Sequence, residues 1–159
     1  MLIAPLLFQC SLKGVGLMKQ LQSRPMPIVT PFTQPYWDGA LSGKLMIQRC
    51  NHCKSYYHPP VSSCAKCVGE EEAALEFEVV SGRGTVYSHT LIRDTRIKGF
   101  EDIMPYTVVM VELEEQPRLI HYANMPQTEA DEITVGASVE VIFIDIGDGI
   151  KLPDFKLSS

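Results

Sequence analysis

The chain of 159 residues lacks a hydrophobic run long enough to cross a membrane. Its most apolar stretch, Met1 to Phe8, is short, is interrupted by Pro5, and has no basic segment in front of it. A membrane-spanning helix needs about 20 apolar residues, and a secretory signal begins with basic ones. We therefore expect neither an anchor nor a signal peptide, and we interpret residues 1–31 as a poorly ordered extension with alternative starts at Met18 and Met26.

An excess of positive charge is also missing. The 14 Lys and Arg residues against 19 Asp and Glu residues give a net charge of −5, and the sequence pI is about 5.3. A surface that binds nucleic acid in general needs a continuous basic track, so the composition argues against that class. A binding module for nucleic acid stays a second hypothesis.

The sequence offers no convincing pair of nucleophile and base. Ser88 and His89 are neighbours, and on a strand their side chains point to opposite faces. His121 is expected on another strand, from which it could approach His89 across the sheet. We predict no catalytic residue in this chain, and turnover by the isolated chain that depends on His89 or His121 would point to an independent enzyme instead.

Cysteine is scarce, and the five cysteines are not scattered. Four of them form the pattern C-x2-C-x10-C-x2-C, which leaves only Cys10 outside it. Two cysteines separated by two residues form a tight knuckle, and two knuckles supply four thiolates in the tetrahedron that suits zinc. Two disulfides, four unrelated thiols and a rubredoxin-like iron site are the alternatives, but paired knuckles indicate a metal first. Such cysteine usage is typical of a reducing cytoplasm. The predicted ligands of a structural zinc ion are Cys50, Cys53, Cys64 and Cys67.

A short helix is predicted before the first knuckle. Thr33 suits its N-cap, Pro35 its first turn and Gly43 its end, whereas Gly39 weakens it, so it needs tertiary contacts. The aromatic residues around it either pack on the neighbouring lobe or form a surface that docks a partner. The candidate docking residues are Phe32, Tyr36 and Trp37.

The remainder of the sequence is mainly β. Alternating or continuously apolar segments separated by turn residues predict a strand on each side of the metal motif and five further strands after Gly82. One helical turn is predicted over residues 128–133. We therefore predict a mainly β fold: an N-terminal helical lead-in and rubredoxin-like zinc ribbon over residues 32–80, then a five-stranded OB-fold barrel over residues 81–159. A five-stranded sandwich or an SH3-like barrel is the competing interpretation. The five strands are placed at residues 85–93, 106–113, 118–123, 139–146 and 150–155.

Basic residues gather in one part of the acidic second half. Residues 82–159 carry seven Lys or Arg against thirteen Asp or Glu, yet four of the seven fall on or near the first barrel strand and the loop after it. A compact basic cluster suits the phosphates of a ligand such as coenzyme A. A loop made soluble by its charges is the alternative. The candidate phosphate-binding residues are Arg83, Arg93, Arg96 and Lys98.

Several of these motifs together resemble a known family. The chain carries Tyr-Trp-Asp-Gly at residues 36–39, the four cysteines, Ser-Gly-Arg-Gly-Thr-Val-Tyr-Ser at residues 81–88 and Asp-Gly at residues 148–149. In this combination the sequence from Phe32 to Phe155 is similar to the OB-fold, acyl-CoA-associated zinc-ribbon family, long labelled a domain of unknown function.

The resemblance implies an accessory subunit instead of a self-sufficient enzyme. Members of this family associate with thiolase-fold condensing enzymes, thiolase-like aldolases or hot-dog-fold enoyl-CoA hydratases. The resemblance therefore implies a hetero-oligomer in which the partner supplies the catalytic groups and the barrel helps to hold acyl-CoA. We expect a thiolase-fold partner before a hydratase, and neither nucleic acid nor membrane as a partner.

Overall fold

The computed structural model describes residues 25–70, 73–94, 96 and 98–158. Most of the predicted extension, and Cys10 with it, lies outside these residues. Within them, no helix is both long enough and apolar enough to cross a membrane. The described chain is mainly β, as predicted, with one short α-helix ahead of the metal motif.

The helix, α1, spans Gln34–Leu41. Thr33 occupies the N-cap position and a proline the first turn, as predicted. The Thr33 hydroxyl does not cap the helix but accepts a hydrogen bond from the backbone N–H of Thr30 at 3.1 Å. Gly43, with φ +72°, takes the left-handed conformation that commonly follows a helix end.

Gly39 explains why this helix needs tertiary contacts. It is buried, and a Cβ atom at this position would lie 2.9 Å from the carbonyl oxygen of Lys44 and would overlap the side chain of Met46. The absence of a side chain lets the helix approach the following strand closely. The residue that lowers the intrinsic helix propensity therefore permits the packing that stabilises the helix.

The metal motif lies on a three-stranded antiparallel sheet. The strands are β1 (Met46–Cys50), β2 (Tyr56–Tyr57) and β3 (Leu75–Val79), in the order β2-β1-β3. Its central strand carries the chain directly into the first knuckle at Cys50. Gln48 faces Tyr57 on one side of β1 and Phe77 on the other.

The second sheet has five antiparallel strands and curls into a nearly closed barrel. Its order is β6-β5-β4-β7-β8. The backbone N–H of Asn124 on one edge donates to Oδ1 of Asp154 on the other at 2.9 Å, which links the two edges. The strands are β4 (Arg83–Ile92), β5 (Tyr106–Leu113), β6 (Ile120–Asn124), β7 (Ser138–Asp145) and β8 (Lys151–Leu157).

One hydrophobic core joins the ribbon sheet to the barrel. Leu45 and Ile47, from the ribbon side, are buried in the same cluster as Val109 and Phe155 of the barrel. Val80, at the predicted boundary between the two units, belongs to this cluster too. The described core is continuous across residue 80, and the division at that residue stays a prediction.

One predicted helical turn is not observed, and the limits of several predicted strands shift by one or two residues. Residues 128–133 form turns, with the N–H of Glu132 bonded to the carbonyl of Glu129 at 3.0 Å, and not a turn of α-helix. A segment this short gains too few hydrogen bonds to offset helix nucleation. The third barrel strand begins at Ile120 instead of residue 118, because Arg118 has φ +63° and belongs to the preceding turn.

Candidate metal centre

The four predicted ligands converge on one point. Their Sγ atoms all lie within 4.8 Å of one another, with 3.9 Å between Cys50 and Cys67 and 3.5 Å between Cys53 and Cys64. A tetrahedron of thiolates with Zn–S bonds of about 2.3 Å has edges of about 3.8 Å. The cysteines are free thiols. Their geometry and chemistry therefore fit one zinc ion, and the disulfide interpretation does not describe the structure.

Local backbone hydrogen bonds build each knuckle. In the first, the N–H of Lys54 donates to the carbonyl of Cys50 at 3.0 Å, and the N–H of Cys50 donates to the carbonyl of Ser55 at 2.9 Å. In the second, the N–H of Cys67 donates to the carbonyl of Cys64 at 3.3 Å. Because these bonds connect near neighbours, the spacing of the motif could predict the site without knowledge of the rest of the fold.

The thiols differ in how readily they ionise. A hydrogen bond from the Ser55 side chain lowers the pKa of Cys53 to about 6. The Tyr57 hydroxyl, 3.1 Å from Sγ of Cys64, lowers the pKa of that thiol, whereas burial raises the pKa of Cys67 to about 12. Zinc binds thiolates, so an ion entering this site displaces protons, including the one that burial holds on Cys67.

A second group of side chains connects the ribbon to the barrel. We call Tyr36, His58 and His121 the ring cluster. The rings of His58 and His121 stack with centroids 4.5 Å apart and planes 9° apart, and the Tyr36 hydroxyl lies 3.0 Å from Nε2 of His121. Trp37 packs edge-on against Tyr36, and Phe155 of the core packs against His121. The helix, the spacer between the knuckles and strand β6 meet here.

Burial keeps the ring cluster neutral. It lowers the pKa of His58 to about 4. Burial, and next the neighbouring His58, lower the pKa of His121 to about 3. Burial also raises the pKa of the Tyr36 hydroxyl. At neutral pH the cluster is therefore an uncharged contact between the two lobes.

The candidate docking residues do not form one exposed surface. Phe32 is 47% exposed. Tyr36 is half-buried in the ring cluster and Trp37 is half-buried beside it. The geometry of Tyr36 agrees with packing on the neighbouring lobe, which leaves Phe32 as the candidate of this set that is most available to a partner.

The candidate phosphate-binding residues do not lie together. Arg83 begins β4 and pairs with Glu114, at 2.5 Å. Arg93 follows the other end of that ten-residue strand, about 30 Å away along the chain. Arg96 pairs with Asp94 at 2.7 Å. Arg93, Arg96 and Lys98 share one loop, whereas Arg83 belongs to the opposite end of the strand.

The surroundings of the histidines could not be predicted from the sequence. His52 is exposed beside the first knuckle. His58 stacks in the ring cluster, and so does His121, which β5 separates from His89 on β4. The sequence does not predict the ring cluster, because residues 36, 58 and 121 are far apart in the chain and share no motif.

Comparisons with known proteins agree with this geometry. Residues 37–72 match the family model of the ChsH2 rubredoxin-like zinc ribbon domain, and residues 78–143 match that of the ChsH2 C-terminal OB-fold domain. Among solved structures, the chain is similar to a chain of an "Ltp2-ChsH2(DUF35) aldolase", with a TM-score of 0.71 and 28% identity. That match covers 83% of this chain and 98% of the other.

Two curated relatives differ in length. A "DUF35 domain-containing scaffold protein" of Methanothermobacter thermautotrophicus is 33% identical over 112 residues, which are 68% of this chain and 80% of that protein. A "Probable enoyl-CoA hydratase alpha subunit" of Thermomonospora curvata is 32% identical over 133 residues, which are 84% of this chain but only 40% of the relative. The chain, with a ChsH2-type zinc ribbon ahead of an OB-fold domain, therefore belongs to the DUF35 family.

Proposed function

We propose that this chain is a non-catalytic scaffold subunit of an acyl-CoA-processing complex and docks on a thiolase-fold partner. The observation that carries the proposal is the likeness to a chain of an Ltp2-ChsH2(DUF35) aldolase, which extends over 98% of that chain. The partner, whether condensing enzyme, thiolase or aldolase, supplies the catalytic groups.

A structural zinc ion fits this role. Four cysteines fill a tetrahedron and leave no position for a substrate, so the ion folds the ribbon and does no chemistry. The spacer between the knuckles also carries His58, which contacts His121 of the barrel. Zinc would thereby hold the ribbon, the helix and the barrel in one fixed arrangement, and a rigid surface is what a docking subunit needs.

Contacts to the partner and to acyl-CoA belong to the same proposal. Phe32 stands at the start of the helix with nearly half of its surface exposed, which suits an interface anchor. Arg93, Arg96 and Lys98 share the loop after β4, where they would meet CoA phosphates, whereas Arg83 would need a separate contact. Arg96 would first have to leave Asp94.

A hot-dog-fold enoyl-CoA hydratase is the second candidate partner. The observation that favours it is the relative named as a hydratase alpha subunit. The 133 matched residues are only 40% of that relative, so the match leaves the larger part of the hydratase subunit uncompared.

Reconstitution tests the proposal. Candidate thiolase-fold and hydratase subunits from the same host would be assayed for acyl-CoA turnover alone and with the zinc-loaded chain. We expect no turnover by the chain alone and a gain in partner activity when it is added. Turnover by the isolated chain that is lost in a His89→Ala or His121→Ala variant would contradict the proposal and indicate an independent enzyme.

A further inference from the structure

A cavity of about 650 Å³ opens in the barrel. We call it the barrel cavity. Its lining comes from the end of β4 and the start of β5, and from the end of β6 with the loop after it. The end of β7 and the first half of β8 complete the lining. This region lies between the β4–β5 loop and the β7–β8 loop, which are the first and fourth loops of the barrel, and OB-folds commonly bind ligands there. Its volume is within the range of roughly 300–1,000 Å³ typical of small-molecule sites.

The walls of the barrel cavity are mainly apolar. Six hydrophobic or aromatic side chains from four strands and two loops face it, and this composition favours an apolar ligand body. These residues are Leu91, Ile103, Tyr106, Met125, Ile144 and Leu152.

The charge around the cavity argues against a polyanion. Four carboxylates line it, whereas Arg93 is the one cationic side chain among the described lining residues. Such a lining repels a phosphate backbone and thereby differs from an OB-fold site for nucleic acid. A phosphate could lie outside, beside Arg93, but not within. The four carboxylates belong to Glu129, Asp131, Asp145 and Asp154.

A buried polar group faces the same cavity. Asp154 is 5% exposed and accepts the backbone N–H of Asn124 at 2.9 Å. A carboxylate offers about four acceptor positions, so a ligand N–H or O–H can join the groups that already contact it. Buried Thr107, also 5% exposed, supplies a second polar contact. The cavity thus combines an apolar wall with hydrogen-bonding groups that fix orientation.

We infer that the barrel cavity binds the uncharged part of an acyl-CoA, an apolar chain that bears amide or hydroxyl donors. This inference rests on the proposed function, which supplies the ligand class. Two parts of the molecule share that chemistry, the acyl group and the pantetheine arm. Apolar atoms contact the walls, an N–H or O–H donates to Asp154, and the nucleotide stays outside on the Arg93 side.

Binding by wall variants tests the inference. Affinities for hexanoyl-CoA, for CoA and for the nucleotide part of CoA alone are measured by titration calorimetry with the zinc-loaded full chain and with its complex. Ile144→Gln and Leu152→Gln place an amide in the walls at half-buried positions. Thr128→Trp fills the cavity from the loop side, in case a wall variant does not fold. Val135→Gln makes the same type of change at a site that is 67% exposed and outside the cavity.

We expect the wall variants to weaken hexanoyl-CoA binding by roughly tenfold, the equivalent of one unfavourable contact, while Val135→Gln and the nucleotide affinity stay unchanged. A loss confined to hexanoyl-CoA assigns the acyl group to the cavity, and an equal loss for CoA assigns the pantetheine arm. The inference would be overturned by unaltered affinities in all three cavity variants. It would also be overturned if the wild-type chain bound neither hexanoyl-CoA nor CoA, or bound a single-stranded oligonucleotide in preference to both. Partner capture by the same variants distinguishes the two proposals. If the variants keep the partner and their affinities are unaltered, the cavity assignment alone is wrong. If the wild-type chain captures no partner, the proposed function is wrong.

Discussion

The hydroxyl of Tyr36 on α1 lies 3.0 Å from Nε2 of His121 on β6, 85 residues further along the chain. His121 is 2% exposed, so this hydrogen bond connects the helical lead-in to the interior of the barrel. The ring of His58, from the spacer between the zinc knuckles, stacks on the same imidazole. The ring cluster is therefore the point where the metal site, the helix and the barrel depend on one another.

Removal of the Tyr36 hydroxyl should destabilise the whole chain. Tyr36→Phe keeps the ring but leaves Nε2 of buried His121 without this hydrogen-bond partner, at a cost of about 1–3 kcal/mol. Urea unfolding of the zinc-loaded protein would measure the loss. Tyr122→Phe removes a hydroxyl from a residue that is 61% exposed and should change stability by less than about 0.5 kcal/mol. Equal stability of the two variants would show that the hydrogen bond contributes nothing.

The ring cluster should make stability depend on pH on the acidic side of neutrality. His58 and His121 have pKa values of about 4 and about 3 in the folded chain, against an ordinary value of 6.5. Below pH 6.5 the unfolded chain binds protons that the folded chain does not, so stability is complete above that pH and falls as pH drops toward 4. Each histidine contributes a slope of up to about 1.4 kcal/mol per pH unit in this window.

Unfolding free energies measured at several pH values would test this dependence. His58→Phe retains a stacking ring without a titrating group and should flatten the slope, whereas His52→Asn, at an exposed position, should not. The expectation fails if His58→Phe and the wild-type chain lose stability in parallel between pH 6.5 and pH 4.

Loss of zinc should reach the helix as well as the ribbon. The spacer that carries His58 is held by the two knuckles, and Trp37, the chain's only tryptophan, packs against Tyr36 with ring centroids 5.0 Å apart. A zinc chelator should therefore expose Trp37 and shift its emission to longer wavelength, and added zinc should reverse the shift. Cys53→Ser should show the shifted spectrum before chelation. An emission maximum that ignores both treatments would disprove coupling between the zinc site and the helix.

Gly39→Ala should destabilise the chain although alanine favours helices. The intrinsic propensity would stabilise an exposed helix position by up to about 1 kcal/mol. At Gly39 the new Cβ would lie 2.9 Å from the carbonyl oxygen of Lys44, so α1 must move away from β1. Thermal unfolding would give the sign, with Asp38→Ala at the preceding exposed position as a control for general effects on the helix. If Gly39→Ala stabilised the chain, α1 could move away from the Lys44 carbonyl without loss of unfolding free energy, and the prediction would be wrong.

The parts of the structure that the sequence could predict are local. The cysteine spacing placed all four ligands, because a knuckle is built from near neighbours. The alternation of apolar and charged residues after the metal motif predicted a strand there, and β3 spans Leu75–Val79. The number of strands in the barrel followed from the apolar segments and the turns between them.

The parts that could not be predicted depend on side chains that meet across the fold. His58 lies close to two thiolates in the sequence, yet it contacts a histidine 63 residues away. Arg83 begins β4 and Arg93 follows its end, so the length of a ten-residue strand lies between them. In addition, Arg83 forms an ion pair with Glu114 from the turn after β5. The barrel cavity likewise brings together segments that no spacing rule connects.

Native mass spectrometry of the tagged chain purified from its own host distinguishes a scaffold subunit from a nucleic-acid-binding module. For a scaffold subunit we expect a complex of fixed stoichiometry that contains this chain, one zinc ion per copy, and a thiolase-fold subunit or, for the second candidate, a hydratase subunit. A zinc-bound chain that runs alone, or one that carries RNA, would contradict the scaffold assignment and favour a nucleic-acid-binding module.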